Sequence, residues 1–387
     1  MEFLVVTTLS CSEVNVRYES LSLKITFLEG NVLFNEAHPM SIFSATRNSL
    51  ILVAVAVSAA SCAKSTTLPS STKSLAAIVE TEPVLSTEDA ADDPAIWVHP
   101  TDAQLSLVIG TDKQYGLEVY GLDERRHQRI AAGLTNNVDI RPLPSPWPTG
   151  TAVLAASNRT LNTLSLFIMS PMGELVWLSE SEIETGLNEV YGLCLFSNSE
   201  GIQAFINDKD GRYQQWRIDI VLRQGVRENG RFDDSTVLGR GTLLREFAVS
   251  SQPEGCVADD THERLFVGVE AEGVFFLEAN ANKSAALNTL AIVDGVRLTA
   301  DVEGMDIFTV GQAGYLIVSS QGNSTYALFD RMSPHAYIDS FTLADDATLG
   351  IDGTSDTDGL AASSQIRTQR FPEGLVVVQD GTNTMPA

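Results

Sequence analysis

The chain has 387 residues, of which 44% are hydrophobic, enough for one large domain or two ordinary ones. Asp and Glu number 50 against 25 Lys and Arg, a formal net charge of −25. Such a surface repels nucleic acid and anionic membrane faces, and it admits an anionic ligand only where cations stand between ligand and protein. The four cysteines (Cys11, Cys62, Cys194, Cys256) show no C-x-x-C or Cys/His spacing, which argues against a zinc site. Cys194 and Cys256 fall in apolar strand contexts, either as small buried residues or as a disulfide pair.

In chain order, residues 1–39 share no pattern with the rest and read as an over-extended N-terminus ahead of a second start at Met40. Residues 40–62 follow the plan of an export signal: Arg47 supplies a positive region and Leu50–Ala60 a short apolar one, too short to span a bilayer as a mature helix. Ala59-Ala60-Ser61-Cys62 is similar to a bacterial lipobox without its usual Leu, so either lipidation of Cys62 or ordinary cleavage follows. Residues 63–79, rich in Ser, Thr and Lys, predict a flexible tether, and the folded part is expected from Glu80 to the end.

Beyond Glu80 come short apolar runs broken by Gly, Asn, Asp and Pro, with almost no helical periodicity. Ala95–Val98, Leu105–Gly110, Leu117–Tyr120, Ala152–Ala156, Leu164–Ile168, Leu265–Val269, Val274–Leu277 and Leu375–Val378 are examples. The clearest unit is Asp301–Arg331, a predicted meander with Asp301 and Glu303 on one side of an extended entrance. Similar polar entrances recur at Asp92-Asp93-Pro94, Asn137-Val138-Asp139, Asn188–Tyr191, Glu254-Gly255, Glu303-Gly304 and Asp358-Gly359, spaced by roughly 45–65 residues. Six such units predict an all-β fold, a six-bladed β-propeller whose entrances gather around a central channel; a pair of β-sandwiches is the runner-up.

ADDPAIWVHP (Ala91–Pro100), NNVDIRP (Asn136–Pro142), AASNRT (Ala155–Thr160), NEVYGL (Asn188–Leu193), PEG-x-x-ADD (Pro253–Asp260), DVEG (Asp301–Gly304), SSQGNSTYALFDR (Ser319–Arg331) and DGTSDTDG (Asp352–Gly359) stand in one order along the chain. That series resembles the β-propeller phytases. The resemblance implies an exported, monomeric, calcium-dependent 3-phytase, a phosphomonoester hydrolase acting on phytate (myo-inositol hexakisphosphate). The charge balance agrees independently. A carboxylate-rich channel binds a polyphosphate only through divalent cations, and calcium takes six to eight oxygen ligands of the kind this chain supplies.

By the same resemblance Glu80 and Asp92 hold a structural calcium, and Lys113 and Arg141 grip phosphate; Asp139-x-Arg141 on one strand also allows a structural ion pair. Tyr191 matches a channel position, and Lys209 and Asp210 match a Lys–Glu pair, with Asp210 one methylene short. Glu254, Glu270, Asp301, Glu303 and Gln321 match calcium ligands of the catalytic site, with Glu254 and Glu270 also placed to hold the attacking water. Asp352, Gly353, Asp358 and Asp380 match further calcium positions. Two departures stand out: Thr382 replaces a Glu, and the sequence stops at Ala387 where the family continues with a further polar motif and strand. Neither Asp208–Gly211 nor Asp352–Gly359 satisfies an EF-hand, and Gln365 stands where that loop needs a bidentate Glu. The five histidines (His38, His99, His127, His262, His335) sit in no matched motif, which leaves a covalent phosphohistidine route without a nucleophile. The rival readings are a propeller lactonase with one buried metal, which needs no cationic grip, and a non-catalytic calcium-binding surface propeller.

Overall fold

A computed structural model describes residues 2–6, 72–223, 231–233 and 235–385. The fold is an all-β β-propeller. Among the described residues the strands form six sheets, each with the strand at an entrance motif on one edge: Ala91–Trp97, Thr135–Pro142, Val190–Asn198, Pro253–Asp259, Val302–Val310 and Leu360–Ser363. In five of the sheets, successive strands then step outward as an antiparallel meander.

The hydrophobic clusters explain why these strands read as nearly continuous apolar runs rather than alternating ones. On Thr163–Met169, Leu164, Leu166 and Ile168 pack toward the following sheet, while Phe167 and Met169 pack toward the preceding one. Leu265 and Val267 likewise face one neighbour and Phe266 the other. Side chains alternate between faces in a strand, and both faces here are buried. Each cluster joins two adjacent sheets, and the series closes where Val79, Val377 and Phe371 meet Ala91, Val108 and Tyr120.

Two expectations change at the N-terminal side. Lys73–Ala76 is not tether: it pairs in parallel with Tyr337–Ala344 as an outer strand, and Val79–Glu80 forms a further strand. Glu2–Val6, assigned above to an unrelated extension, runs antiparallel to Leu375–Asp380 and also pairs with Val79–Glu80, occupying what is otherwise an open sheet edge. The export signal and Cys62 lie outside the described residues, among which no helix is long and apolar enough to cross a membrane.

The entrances themselves are β-bulges. Five inner strands shift register at their first residues, between Ala91 and Pro94, Thr135 and Val138, Val190 and Leu193, Pro253 and Cys256, and Val302 and Met305. A bulge frees one residue from the ladder and re-aims its side chain. Asp92 and Asp93 accordingly part company: Asp92 turns to the mouth, while Asp93 accepts the backbone N–H of Val138 at 3.0 Å. Glycines let neighbouring bulges touch through backbone alone. A Cβ on Gly192 would lie 1.9 Å from the Glu254 carbonyl oxygen, and one on Gly255 would lie 2.1 Å from that of Glu303.

Candidate active site

At the bulged end of the channel lies a cavity of 540 Å³, lined by Lys113, Tyr191, Glu254, Glu270, Asp301, Glu303, Gln321 and Asp358 among others. Its floor is two overlapping carboxylate trios, Asp92/Glu254/Asp358 and Glu254/Glu270/Glu303, each with ligand oxygens within 4.8 Å of one another. Glu254 belongs to both. Asn136 Nδ2 donates to Glu254 Oε1 at 2.6 Å, and Gln252 Nε2 donates to Glu270 Oε1 at 2.6 Å. Lys113 Nζ reaches Asp89 at 2.7 Å, Asp358 at 3.2 Å and Asp92 at 3.3 Å. Lys209 pairs with Glu189 at 2.8 Å and stands 4.6 Å over the Tyr191 ring.

So many buried carboxylates cannot all ionise without help. Burial raises Glu254 above the usual carboxylate range, and Asp92 adds to it. Glu303 is pushed well up by burial, then by Glu254 and Asp358; Asp358 by burial, then by Asp92 and Glu254. Glu270 rises to about 7 through burial, against the Gln252 hydrogen bond, with Glu254 and Asp301 adding repulsion. Burial alone would lower Lys113; Asp92, Asp358 and Asp89 outweigh it and hold the ammonium charged. Tyr191 is kept neutral by burial and by Glu254 and Glu303.

Oδ2 of Asp92 and Oε2 of Glu303 are buried and accept no hydrogen bond, while Oδ1 of Asp92 faces the Lys113 ammonium at 3.3 Å. Orphaned buried anions of this kind fit a bound cation, which replaces the missing donors. A second group repeats the signature near the closing sheet: Glu80 Oε2, Asp352 Oδ1 and Asp380 Oδ2 are buried without donors. Asn383 donates to Glu80 at 2.8 Å, Thr384 Oγ1 to Asp352 at 2.7 Å, and Ser355 N–H to Asp380 at 2.8 Å. Asp380 is raised to about 6 by burial, less the Ser355 bond, with Asp352 adding repulsion.

The Phytase family profile matches residues 40–386. The chain is 35% identical to the 3-phytase of Bacillus subtilis (strain 168) over 315 residues, covering 79% of this chain and 78% of that protein. The chain belongs to the phytase family. Solved structures with a related outline include a chain of a nidogen/laminin complex (TM-score 0.42, 12% identity, 65% of this chain and 79% of that one). Another is BBS1N in complex with ARL6DN (TM-score 0.44, 12% identity, 81% and 82%).

Not every residue matched to the phytases reaches the mouth. Arg141 lies along its strand from the bulge, in a separate compartment of 610 Å³ on the other side of the bulge ring. There it binds Asp139 at 2.9 Å, Asp260 at 2.8 Å and the Leu195 carbonyl at 2.7 Å, so the ion-pair alternative holds for it and the phosphate grip does not. Asp210 is exposed and paired with Arg212 at 2.9 Å, outside the cavity lining. Gly353 contributes close packing: a Cβ there would lie 2.3 Å from the Leu343 carbonyl oxygen. Among the described residues, no histidine lines the mouth cavity. Sequence reasoning passed over Asn136 and Gln252, which orient two of the carboxylates, and Arg159 of the AASNRT segment. Asn158 pairs with Thr135 beside the bulge, so Arg159 stands at the carboxylate end, with Nε buried and free of hydrogen bonds.

Proposed function

We propose that this phytase-family chain releases phosphate from phytate at the bulged mouth, using calcium ions held by Asp92, Glu254, Glu270, Asp301, Glu303, Gln321 and Asp358. The carrying observation is the pair of carboxylate trios sharing Glu254, with orphaned oxygens at Asp92 Oδ2 and Glu303 Oε2. When bound there, calcium supplies charge neutralisation for the substrate phosphates and acidifies water for in-line attack on phosphorus. The chain's own residues do the rest. Lys113 and Lys209, at opposite sides of the trios, hold phosphate oxygens; Arg159 stands at the same end as a third cation. Asn136 fixes the orientation of Glu254, and Gln252 fixes Glu270. Glu270, held by Gln252 on one trio, is the group placed to take a proton from the attacking water. The route is non-covalent. Glu80, Asp352 and Asp380 hold a separate, structural calcium.

We read the fold as six-bladed, on the support of six sheets whose cores link neighbour to neighbour in a closed series. We also place the mature protein outside the cytoplasm, on the support of the signal-like segment and of the Cys194–Cys256 disulfide, which needs an oxidising compartment.

The test is phosphate release from sodium phytate by the purified protein, with added calcium and again with a chelator. Calcium-dependent release is the expected result. A folded, calcium-stabilised protein that releases none would instead be the non-catalytic binding propeller.

A further inference from the structure

We infer that the Cys194–Cys256 disulfide is a positioning crosslink for the cation site at Glu254, and that its reduction by a dithiol weakens cation binding there. The inference rests on the reading above that the two trios hold calcium. The bond joins the inner strands Val190–Asn198 and Pro253–Asp259, which belong to neighbouring sheets and share no backbone ladder. Their seam is where Glu254 is set. Tyr191 lines the mouth with Glu254; the next residue, Gly192, packs its backbone on the Glu254 carbonyl; and Cys194 then meets Cys256, two residues past Glu254. Other seams around the mouth make the same close glycine contact, Gly255 on Glu303 and Gly304 on Gly359, with noncovalent contacts alone. The covalent link therefore falls on the seam that positions the carboxylate common to both trios.

Both cysteines are buried, and they lie away from the carboxylates. Cys194 and Cys256 both line the 610 Å³ compartment, on the other side of the bulge ring from the mouth. Cys256 is 8% exposed against 2% for Cys194, so a reagent thiolate attacks Cys256 and Cys194 leaves as its thiolate. The reagent's second thiolate then attacks its own sulfur in the mixed disulfide, closing a ring and releasing Cys256. Two electrons and two protons pass from the dithiol to the two cysteines, and the reagent ends as a cyclic disulfide. Without the bond, the seam keeps noncovalent contacts alone: the Gly192 packing, the Asn207 Nδ2 hydrogen bond to the Glu254 carbonyl at 3.4 Å, and the apolar cluster of Phe196, Phe205, Ala258 and Val267.

The experiment compares the full protein, oxidised and after dithiothreitol, with a Cys194→Ser/Cys256→Ser double variant. Terbium luminescence displaced by calcium reports cation binding, and phosphate release against calcium reports activation. Reduction is expected to raise the calcium concentration for half-saturation about tenfold in both assays, the scale set by residues that orient metal ligands. Turnover at saturating calcium stays within about twofold of the oxidised value, since excess cation refills the site. The double variant takes the reduced values and ignores dithiol; if it fails to fold, reduction of the native protein, checked by circular dichroism, decides alone. A fall in thermal midpoint with unchanged half-saturation assigns the bond to stability only and overturns the inference, as does alkylation of Cys194 and Cys256 in the unreduced protein as isolated, mapped by peptide mass. Failure of the oxidised protein to bind terbium or calcium overturns the calcium reading together with this one, whereas indifference to dithiol leaves that reading standing.

Discussion

Gly255→Ala tests whether the mouth is held by backbone contact. The added Cβ would lie 2.1 Å from the Glu303 carbonyl oxygen, 2.7 Å from its carbon and 3.0 Å from Gly304 Cα. Ordinary contact begins near 3.4 Å, so the seam between the two inner strands must open by about 1 Å or more. None of the three atoms is the tip of a flexible side chain that can swing away. Overpacking of this kind costs about 1–3 kcal/mol, or roughly 5 °C in thermal midpoint for a domain of this size. The larger effect falls on function, because Glu254 and Glu303 flank the contact and share a trio. A displacement of about 1 Å at a reacting centre costs on the order of a hundredfold in turnover. Phosphate release per folded molecule and calcium titration measure this directly. Gly201→Ala is the control: it lies at φ +115 with nothing within 4 Å of the added atom, so it loses backbone energy and keeps activity. If Gly255→Ala keeps half the wild-type turnover with normal calcium response, the backbone contact does not set the site.

Glu254→Gln removes one charge from among Asp92, Glu303 and Asp358, so the metal-free protein should melt higher while calcium stabilises it less, and phosphate release should fall by about a hundredfold or more; thermal unfolding with and without calcium reads the two signs. Arg141→Met should cost about 3 kcal/mol by stranding Asp139 and Asp260 yet leave the KM for phytate unchanged, whereas Lys113→Met should raise that KM about tenfold. Glu270 is raised to about 7, so the folded metal-free protein holds a proton that the unfolded chain has already lost above its ordinary pKa near 4.5. Its contribution to stability is therefore complete below about pH 4.5 and declines as pH rises to about 7. Calcium affinity moves the other way over the same window, rising with pH to a plateau above about 7, because the cation displaces that proton. Melting curves across pH, with calcium and with chelator, check both slopes.

The fold was legible because the blade entrances carry polar residues that no apolar strand needs for packing, at a regular spacing. The meander at Asp301 fell where expected, with strands at Val302–Val310, Ala313–Ser320 and Thr325–Asp330. The bulges were not legible, since a register shift depends on the partner strand as much as on the residues shifted. That is why Asp92 and Asp93 turn opposite ways, and why a match at Arg141 did not locate its side chain. Arg141 sits six residues past Thr135, about 20 Å along an extended strand, too far to share the mouth. The pairing of Glu2–Val6 with Leu375–Asp380 was invisible for a related reason: sequence separation so long leaves no local signal. Asn136 and Gln252 were overlooked because uncharged amides at strand ends commonly serve turns.

Burial of both faces of every sheet has a mechanical consequence. In a linear stack of repeats, an end unit can fray and forfeit one interface. Here each sheet is wedged between two others, and the last is wedged against the first. Pulling any one sheet away exposes two apolar interfaces at once, and the inward pressure that holds the mouth closed is lost all round. The ring behaves as a barrel does under its hoop: loosened at one stave, it slackens everywhere.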